Sequence, residues 1–167
     1  MKMTYTVVEN ILGYMLVAAT DVGICSVMLG DGEEGLAVEL HHEFPRAEIR
    51  RDDGRLRAQV AMLLDCLAGV APSAALPLDV QGTAFQMRVW EELRRIPRGR
   101  TLSYGELAER IGQPKAVRAV GRACATNPAA LIIPCHRAVR ASSELGGYRW
   151  GIERKRRLLE EEKGIVL

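Results

Sequence analysis

The chain has 167 residues, of which 48% are hydrophobic and 26% are charged. This composition suits one large or two small packed domains and argues against disorder. No apolar run reaches the roughly 18–20 residues of a membrane-spanning helix. The first residues also lack the apolar core and cleavage site of a secretory signal. We therefore expect a cytoplasmic protein that makes no membrane contact.

The formal net charge of +2 hides a division between the two halves of the chain. Residues 1–81 carry 6 basic and 12 acidic side chains, whereas residues 82–167 carry 17 basic and 9 acidic ones. Such a division indicates that only the C-terminal half meets a polyanion. Chance asymmetry on a solvated surface is the alternative explanation.

The N-terminal half is predicted to contain strands followed by helices. The spacing of Leu36, Leu40 and Phe44 predicts an amphipathic helix over residues 33–44, and apolar periodicity predicts a longer one over 56–67. Apolar runs separated by turn residues predict three strands, at residues 4–8, 13–20 and 24–29.

The boundary between two domains is predicted where the composition changes after the second helix. Residues 71–75 have the composition of a linker, and residues 76–82 extend it. We therefore expect an N-terminal domain over residues 1–80 and a C-terminal domain over residues 82–167.

The C-terminal half has clear helix start signals. Thr83 with Gln86 and Ser103 with Glu106 each form a capping-box pattern, in which two side chains satisfy the first free amides of a helix. Pro114 suits the first turn of a third helix. The second and third of these helices, joined at Gly112, have the spacing of a helix-turn-helix.

The remainder of this half is predicted as a strand-like run, a hairpin and a helix. Residues 131–133 are apolar and resemble a buried strand. Gly146-Gly147 suggests the tip of a hairpin or wing, and residues 152–162 are predicted to form the last helix.

The third helix of this half combines small and basic side chains. Lys115, Arg118 and Arg122 flank a series of small residues, which suits a helix pressed against DNA with phosphates on either side. The minor groove is only ~6 Å wide and excludes bulky side chains. Packing against a neighbouring helix is the alternative use of such a face. The small residues are Ala116, Ala119, Gly121, Ala123 and Ala125.

The chain has four cysteines and three histidines, and no two cysteines form a C-x-x-C pair. A zinc site is therefore poorly supported. We interpret Cys25, Cys66 and Cys124 as small buried apolar residues, since free cysteine is usually buried.

Cys135 differs from the other three because His136 and Arg137 follow it directly. A thiol attacks as its thiolate, and a nearby imidazole or cation lowers the thiol pKa. In an extended segment, neighbouring side chains point to opposite sides, so His136 would have to act through a water or across a bend. A buried cysteine beside an unrelated histidine is the alternative. One of the three residues Glu160–Glu162 could orient His136, as the carboxylate does in catalytic triads.

Together these residues resemble the O6-alkylguanine-DNA alkyltransferase family, the methylated-DNA–protein-cysteine methyltransferases. The resemblance is specific from Phe85 to Glu162 and much weaker over residues 1–80. It is carried by four segments: FQMRVWEELRRIPRGRTLSYGELA, PKAVRAVGRACATNP, LIIPCHR and GGYRWG.

The resemblance implies an α/β (α+β) protein: a ribonuclease-H-like N-terminal domain and a winged-helix-like, helix-turn-helix C-terminal domain. It implies direct DNA repair, in which double-stranded DNA is bound through the minor groove and the damaged nucleotide is rotated out of the stack. An alkyl group on O6 of guanine, and also on O4 of thymine, then passes irreversibly to the cysteine. No metal or organic cofactor is implied, and the zinc ligands of some relatives have no recognisable counterpart here.

The family's catalytic roles match four positions of this sequence. Cys135 matches the alkyl acceptor, and His136 the base that deprotonates it through a water. Glu162 matches the carboxylate that orients the histidine. Tyr104 matches the tyrosine that helps to rotate the nucleotide and donates a hydrogen bond to the guanine.

The family's substrate-binding roles match a further set. Arg118 matches the finger that fills the gap left by the flipped base, Asn127 the hinge between recognition helix and active site, and Tyr148 the aromatic wall of the base pocket. Lys115 and Arg122 are expected to contact phosphates. Ala138 stands where the family motif usually has valine, at a position whose carbonyl contacts the guanine amino group.

Two other functions are compatible with parts of this pattern. A protein that marks lesions without repairing them would also bind DNA, although such relatives replace the nucleophilic cysteine. A cysteine hydrolase would need an oxyanion site and turnover, for which the sequence carries no signal. We expect a monomer, and Arg149, which resembles the Ada-type sequence, could restrict the size of the alkyl group.

Overall fold

The computed structural model of the protein describes residues 1–70 and 76–164. These divide into two compact units, one formed by residues 1–80 with 128–132 and the other by residues 81–127 with those from 133 onward. The linker predicted at residues 71–75 lies outside the described residues. The predicted mixed α/β class is confirmed.

The first unit is built around a four-stranded sheet with the strand order β3-β2-β1-β4. The first three strands are antiparallel, and β4 pairs in parallel with β1. Its elements are β1 (Lys2–Asn10), β2 (Gly13–Ala19), β3 (Ile24–Gly30), α1 (Glu33–Glu43), β4 (Glu48–Arg51) and α2 (Arg57–Leu67).

The three strands and two helices predicted for this unit are confirmed, with small shifts at their ends. Strands β2 and β3 are almost wholly buried, which explains their continuous apolar runs. The core of the unit lies between this sheet and the apolar side of α1, where Leu36 and Leu40 are buried.

Strand β4 was not predicted. It holds one partly buried residue, Ile49, among exposed charged ones. Charged side chains are usual on an edge strand, where they discourage pairing with another chain. Its sequence therefore shows no alternation of apolar and polar residues from which a strand could be predicted.

In its described residues, the second unit contains four α-helices, a 3-10 turn and a two-stranded parallel sheet. Both predicted capping boxes are confirmed: Thr83 and Gln86 exchange hydrogen bonds before the first helix, and Ser103 and Glu106 do so before the second. The elements are α3 (Ala84–Arg94), β5 (Leu102–Ser103), α4 (Tyr104–Arg110), α5 (Val117–Ala125), the 3-10 turn (Cys135–Arg137), β6 (Ala138–Val139) and α6 (Ile152–Glu162).

Helices α4 and α5 pack against each other and against α3, which forms the predicted helix-turn-helix. The prediction that Pro114 occupies the first turn of α5 is wrong, because α5 begins at Val117. The proline instead lies in a turn closed by a hydrogen bond from the amide of Ala116 to the carbonyl of Gln113, at 2.9 Å. Proline is favoured at this second position of a turn because its φ is already set.

The strand predicted at residues 131–133 is also wrong. The segment turns, with Leu131 at a φ of 71°, and leads directly into the 3-10 turn. A short apolar run is equally compatible with a buried turn, so its composition could not distinguish the two. The hairpin expected at Gly146-Gly147 is not formed either, since these glycines lie in an irregular segment before α6.

The helix predicted over residues 152–162 is confirmed as α6. No helix within the described ranges is long and apolar enough to cross a membrane.

Candidate active site

Cys135 opens the 3-10 turn and is 3% exposed. The side chain of Asn127 is also buried, and its Nδ2 donates to the Cys135 Sγ at 3.1 Å and to the carbonyl of Ile133 at 2.7 Å. Both hydrogens of this amide are therefore used, one to hold the chain before the turn and one on the sulfur.

Burial raises the pKa of the Cys135 thiol to about 11, although the hydrogen bond from Asn127 and the charges of Lys155 and Arg149 oppose that rise. The neighbouring donor and cations thus lower the pKa of the thiol, but by less than burial raises it. A thiol of this kind stays protonated at neutral pH, so it reacts only if a base removes its proton during the reaction.

His136 is paired with Glu162, the last residue of α6. The imidazole Nε2 lies 2.5 Å from the carboxylate Oε1, and both side chains are almost wholly buried. Because a carboxylate only accepts hydrogen bonds, the Nε2 carries the hydrogen and the Nδ1 keeps its lone pair. This Nδ1 is buried and has no hydrogen-bond partner among the described residues.

The protonation states of this pair follow from their surroundings. Burial lowers the pKa of His136 in spite of the hydrogen bond to Glu162, so the ring is neutral. Burial alone would raise the pKa of Glu162, but hydrogen bonds from His136 and Arg137 outweigh it and lower that pKa to about 2. The result is a neutral imidazole with a charged carboxylate behind it, the arrangement of a general base.

The sequence suggested an extended backbone at Cys135 and His136, but these residues lie in a 3-10 turn. Among the described residues there is no direct hydrogen bond between the Cys135 Sγ and the imidazole. The expectation that His136 does not bind the thiol directly therefore agrees with the structure, although the strand on which it rested is wrong.

Tyr104, the first residue of α4, lies against a buried lysine that the sequence reasoning missed. The Nζ of Lys155 donates to the carbonyls of Ala138 at 2.7 Å and Gly147 at 3.1 Å, and lies 3.5 Å from the Tyr104 hydroxyl. Burial lowers the pKa of Lys155 to about 8 and raises the pKa of Tyr104 to about 12. A cation held in this position favours negative charge at the sulfur and at the phenol.

A signal for Lys155 was present in the sequence. Lys155, Leu158, Leu159 and Glu162 are spaced as i, i+3, i+4 and i+7, so they share one face of α6. A lysine and a glutamate on the apolar face of a helix are candidates for buried charges.

The predicted wall residue Tyr148 contacts two other rings. It packs edge-to-face on His136, with the ring centroids 6.5 Å apart, and on Trp150 at 5.3 Å. The Tyr148 hydroxyl is buried and has no partner among the described residues. Arg149 donates to the carbonyl of Asn127 at 2.8 Å and lies over the Trp150 ring.

The absence of a side chain at Gly146 leaves the space that the Tyr104 side chain occupies. The φ of Gly146 is +72°, and a Cβ atom there would lie 2.7 Å from the Tyr104 hydroxyl. Only glycine adopts this backbone without strain and leaves that space to the ring.

The predicted DNA-binding cations lie on α5 and the turn before it. Lys115, Arg118 and Arg122 are exposed and form no ion pair with another described residue. The small residues do not share one face, however: Ala123 is buried, whereas Gly121 faces open space. The outward surface of α5 is thus small at Gly121 and basic on either side.

The structure therefore brings seven of the ten predicted residues together around the thiol and leaves three on the basic surface of the same unit. The seven are Cys135, His136, Glu162, Tyr104, Asn127, Tyr148 and Ala138. Within residues 1–70 and 76–164, no group of three or more His, Cys, Asp or Glu side chains could hold a metal ion.

Comparison with known proteins gives consistent results. Residues 84–164 match the family described as the 6-O-methylguanine DNA methyltransferase, DNA binding domain. A methylated-DNA–protein-cysteine methyltransferase of Mycobacterium bovis is 48% identical over 126 residues, which are 75% of this chain and 76% of that protein. The bifunctional transcriptional activator/DNA repair enzyme Ada of Escherichia coli is 48% identical over 158 residues, or 95% of this chain. This chain spans only 45% of the Ada length.

Solved structures agree with these relatives. The crystal structure of the Mycobacterium tuberculosis OGT in complex with DNA superposes with a TM-score of 0.83 and 36% identity, covering 99% of this chain and 95% of that one. The O6-methylguanine methyltransferase of the same organism gives a TM-score of 0.81.

The second unit therefore combines a helix-turn-helix with a buried cysteine beside a histidine–glutamate pair. The chain belongs to the 6-O-methylguanine DNA methyltransferase family.

Proposed function

We propose that the protein repairs alkylated DNA by transferring a methyl or small alkyl group from O6 of guanine, and from O4 of thymine, to the Sγ of Cys135. The observation that carries this proposal is the buried thiol beside a neutral His136, whose Nδ1 is unpaired and whose Nε2 is held by Glu162. The names of the relatives, methylated-DNA–protein-cysteine methyltransferases, support it.

The reaction begins with removal of the thiol proton. The Nδ1 of His136 accepts this proton, by way of a water as the family resemblance implies, and Glu162 stabilises the imidazolium. The sulfur then attacks the alkyl carbon: the S–C bond forms as the bond from carbon to O6 breaks, and its electron pair passes to the purine. The purine anion takes up one proton and the imidazolium of His136 gives one up, so charge and atoms balance.

Lys155, Asn127 and Tyr104 stabilise the charges that develop. Asn127 donates to the sulfur as it becomes a thiolate, and the ammonium of Lys155 favours the same change. Tyr104 donates to the departing guanine, while Lys155 donates to the tyrosine oxygen. Preorganised donors of this kind act where charge appears in the transition state.

The DNA is bound by the basic surface of the second unit. A duplex buries the alkylated O6 in its stack, so the nucleotide must be rotated out before the thiol can reach it. Arg118 fills the gap, Lys115 and Arg122 bind phosphates, and the ring of Tyr148 lies against the extruded base. No cofactor enters this reaction.

The thioether product is stable, so each molecule acts once. We propose that the protein works as a monomer in the cytoplasm, where a reducing environment keeps its four cysteines as thiols.

The intact mass of the protein tests this function. Incubation with duplex DNA containing O6-methylguanine should add one methyl group, located on Cys135 by peptide mapping, with no second turnover. The C135A variant should gain no mass while it still binds the DNA. An unchanged wild-type mass with retained binding would instead support a protein that marks lesions without repairing them.

A further inference from the structure

Arg137 makes four hydrogen bonds in the buried part of the site, and the reaction steps above use none of them. Its Nε donates to both oxygens of Glu162, at 3.1 Å to Oε1 and 2.9 Å to Oε2. Its Nη2 donates to Oε1 at 2.9 Å, and its Nη1 to the carbonyl of Ile96 at 2.7 Å. The guanidinium thus joins the end of α6 to the chain that follows α3.

Glu162 lies in an unfavourable place for a negative charge. It is the last residue of α6, where the helix dipole disfavours an anion, and its side chain is 4% exposed. Among the described residues, the only other group that binds this carboxylate is the Nε2 of His136, whose ring is neutral. A buried carboxylate needs a paired cation to remain charged, and the planar fork of arginine fits both oxygens.

The geometry of Glu162 decides which ring nitrogen of His136 is the base. Oε1 accepts from Nε2 while the carboxylate is turned toward the ring, most strongly when it is charged, whereas a protonated carboxyl group could donate to Nε2 instead. If the carboxylate were protonated or rotated away, nothing among the described residues would hold the hydrogen on Nε2. The hydrogen could then move to Nδ1, and that nitrogen could no longer accept a proton from the thiol side.

We propose that Arg137 is a positioning residue for alkyl transfer: its guanidinium holds Glu162 charged and oriented, and thereby fixes His136 in the tautomer with hydrogen on Nε2 and a lone pair on Nδ1. This inference rests on the proposed function for its effect on rate. Its effect on the tautomer does not depend on that function.

Two measurements on R137Q test the inference. In ¹⁵N NMR of protein labelled at histidine, wild-type His136 should show a protonated Nε2 and an unprotonated Nδ1, and the R137Q signals should move toward exchange between the two tautomers. The single-turnover rate of methyl transfer should fall at least about 10-fold, a part of the contribution of a positioned general base. R156Q is the matched control, because Arg156 lies on α6, the helix of Glu162, but pairs with Glu153 at the surface.

R137K separates charge from geometry. Lysine supplies a point charge but cannot hold both carboxylate oxygens and the Ile96 carbonyl at once. We expect R137K to recover part of the R137Q loss in rate, with His136 still mostly in the Nε2–H form. If R137Q does not fold, the inference is tested by the transfer rate and the His136 tautomer of R137K, and by the His136 tautomer of the wild-type protein.

Three results would overturn the inference. They are a wild-type His136 with hydrogen on Nδ1, an R137Q with the wild-type tautomer and rate, and an R137K that behaves like R137Q in tautomer. If the wild-type protein transferred no methyl group, the proposed function would fail. The positioning role would still stand if the R137Q substitution nevertheless changed the tautomer of His136.

Discussion

The Nδ2 of Asn127 donates to the sulfur of Cys135 at 3.1 Å, although the two residues lie eight positions apart in the chain. The same nitrogen holds the carbonyl of Ile133. One side chain therefore positions the turn that carries Cys135 and supplies a hydrogen-bond donor to its sulfur.

We expect N127A to lose stability and transfer rate together. The Ile133 carbonyl keeps the amide of Cys135 as a donor, at 2.8 Å, so loss of the hydrogen bond from Asn127 should cost about 0.5–1.5 kcal/mol in the free energy of unfolding. N127D keeps the shape of the side chain but places an anion beside the sulfur, so it should transfer methyl more slowly than N127A. Denaturant unfolding and single-turnover rates measure the two effects, and an N127D rate equal to the wild-type rate would contradict the role of this donor.

The ammonium of Lys155 lies under two backbone carbonyls, one of which belongs to Ala138. K155M keeps much of the apolar stem but removes the charge, so we expect transfer to slow by about 10-fold or more, as when a preorganised donor is lost. Mass spectrometry of quenched reactions gives the rate, and thermal melting shows whether the fold is retained. A K155M variant with an unchanged rate would show that the lysine only supports the backbone.

Lys155 also predicts how stability changes in alkaline solution. Its pKa is lowered to about 8 from 10.5 in the unfolded chain, so between these values the unfolded chain binds more protons. Its contribution to stability should therefore rise with pH over this window. The difference in unfolding free energy between wild type and K155M, measured from pH 7 to 10.5, should change in favour of the wild type. A difference that stays constant would contradict the burial of this charge.

The Glu162 carboxylate predicts a loss of stability in acid. Its folded pKa is about 2 against an ordinary value of 4.5, so its contribution is fully present above 4.5 and disappears as the pH falls toward 2. His136 and Arg137 are the groups that hold it charged, with Tyr148 nearby. Relative to E162Q, the wild-type protein should lose about 3 kcal/mol of unfolding free energy across this window. Paired denaturant titrations at several pH values measure this, and parallel curves for the two proteins would refute it.

Arg118 should matter for duplex DNA and not for the chemistry. R118A should reduce methyl transfer from duplex DNA by about 10-fold or more, since unstacking and unpairing a base costs a few kcal/mol. Reaction with free O6-alkylated guanine should change little. R55A is a suitable control, because Arg55 is exposed and pairs with Asp21 in the first unit. Equal losses on duplex and free base would count against the finger role.

Arg122 is expected to bind a phosphate, which makes its effect depend on salt. R122A should weaken binding to all duplex sequences alike and reduce the slope of log affinity against log salt by about 1. Fluorescence anisotropy with labelled duplexes at several salt concentrations measures this slope. A loss of affinity with an unchanged slope would exclude a phosphate contact.

Local features of the sequence determined much of the fold. The capping boxes at Thr83 and Ser103 and the apolar periods of α1 and α2 predicted where these helices lie, because such signals depend on residues within one or two turns. The motif around Cys135 also indicated the residue types that the chemistry requires. Strand β4 escaped prediction because only its pairing with β1 makes it a strand.

The tertiary structure alone decided how the site is connected. Three contacts join residues that are 8 to 25 positions apart in the chain: the hydrogen bond from Asn127 to the sulfur of Cys135, that from Lys155 to the carbonyl of Ala138, and that from Arg137 to Glu162. Such contacts depend on how helices pack and on which charges burial forces into pairs, and spacing along the chain does not record either. The sequence and its family resemblance predicted Cys135, His136 and Glu162 as site residues, and folding decided that burial raises the pKa of the thiol and lowers the pKa of the imidazole.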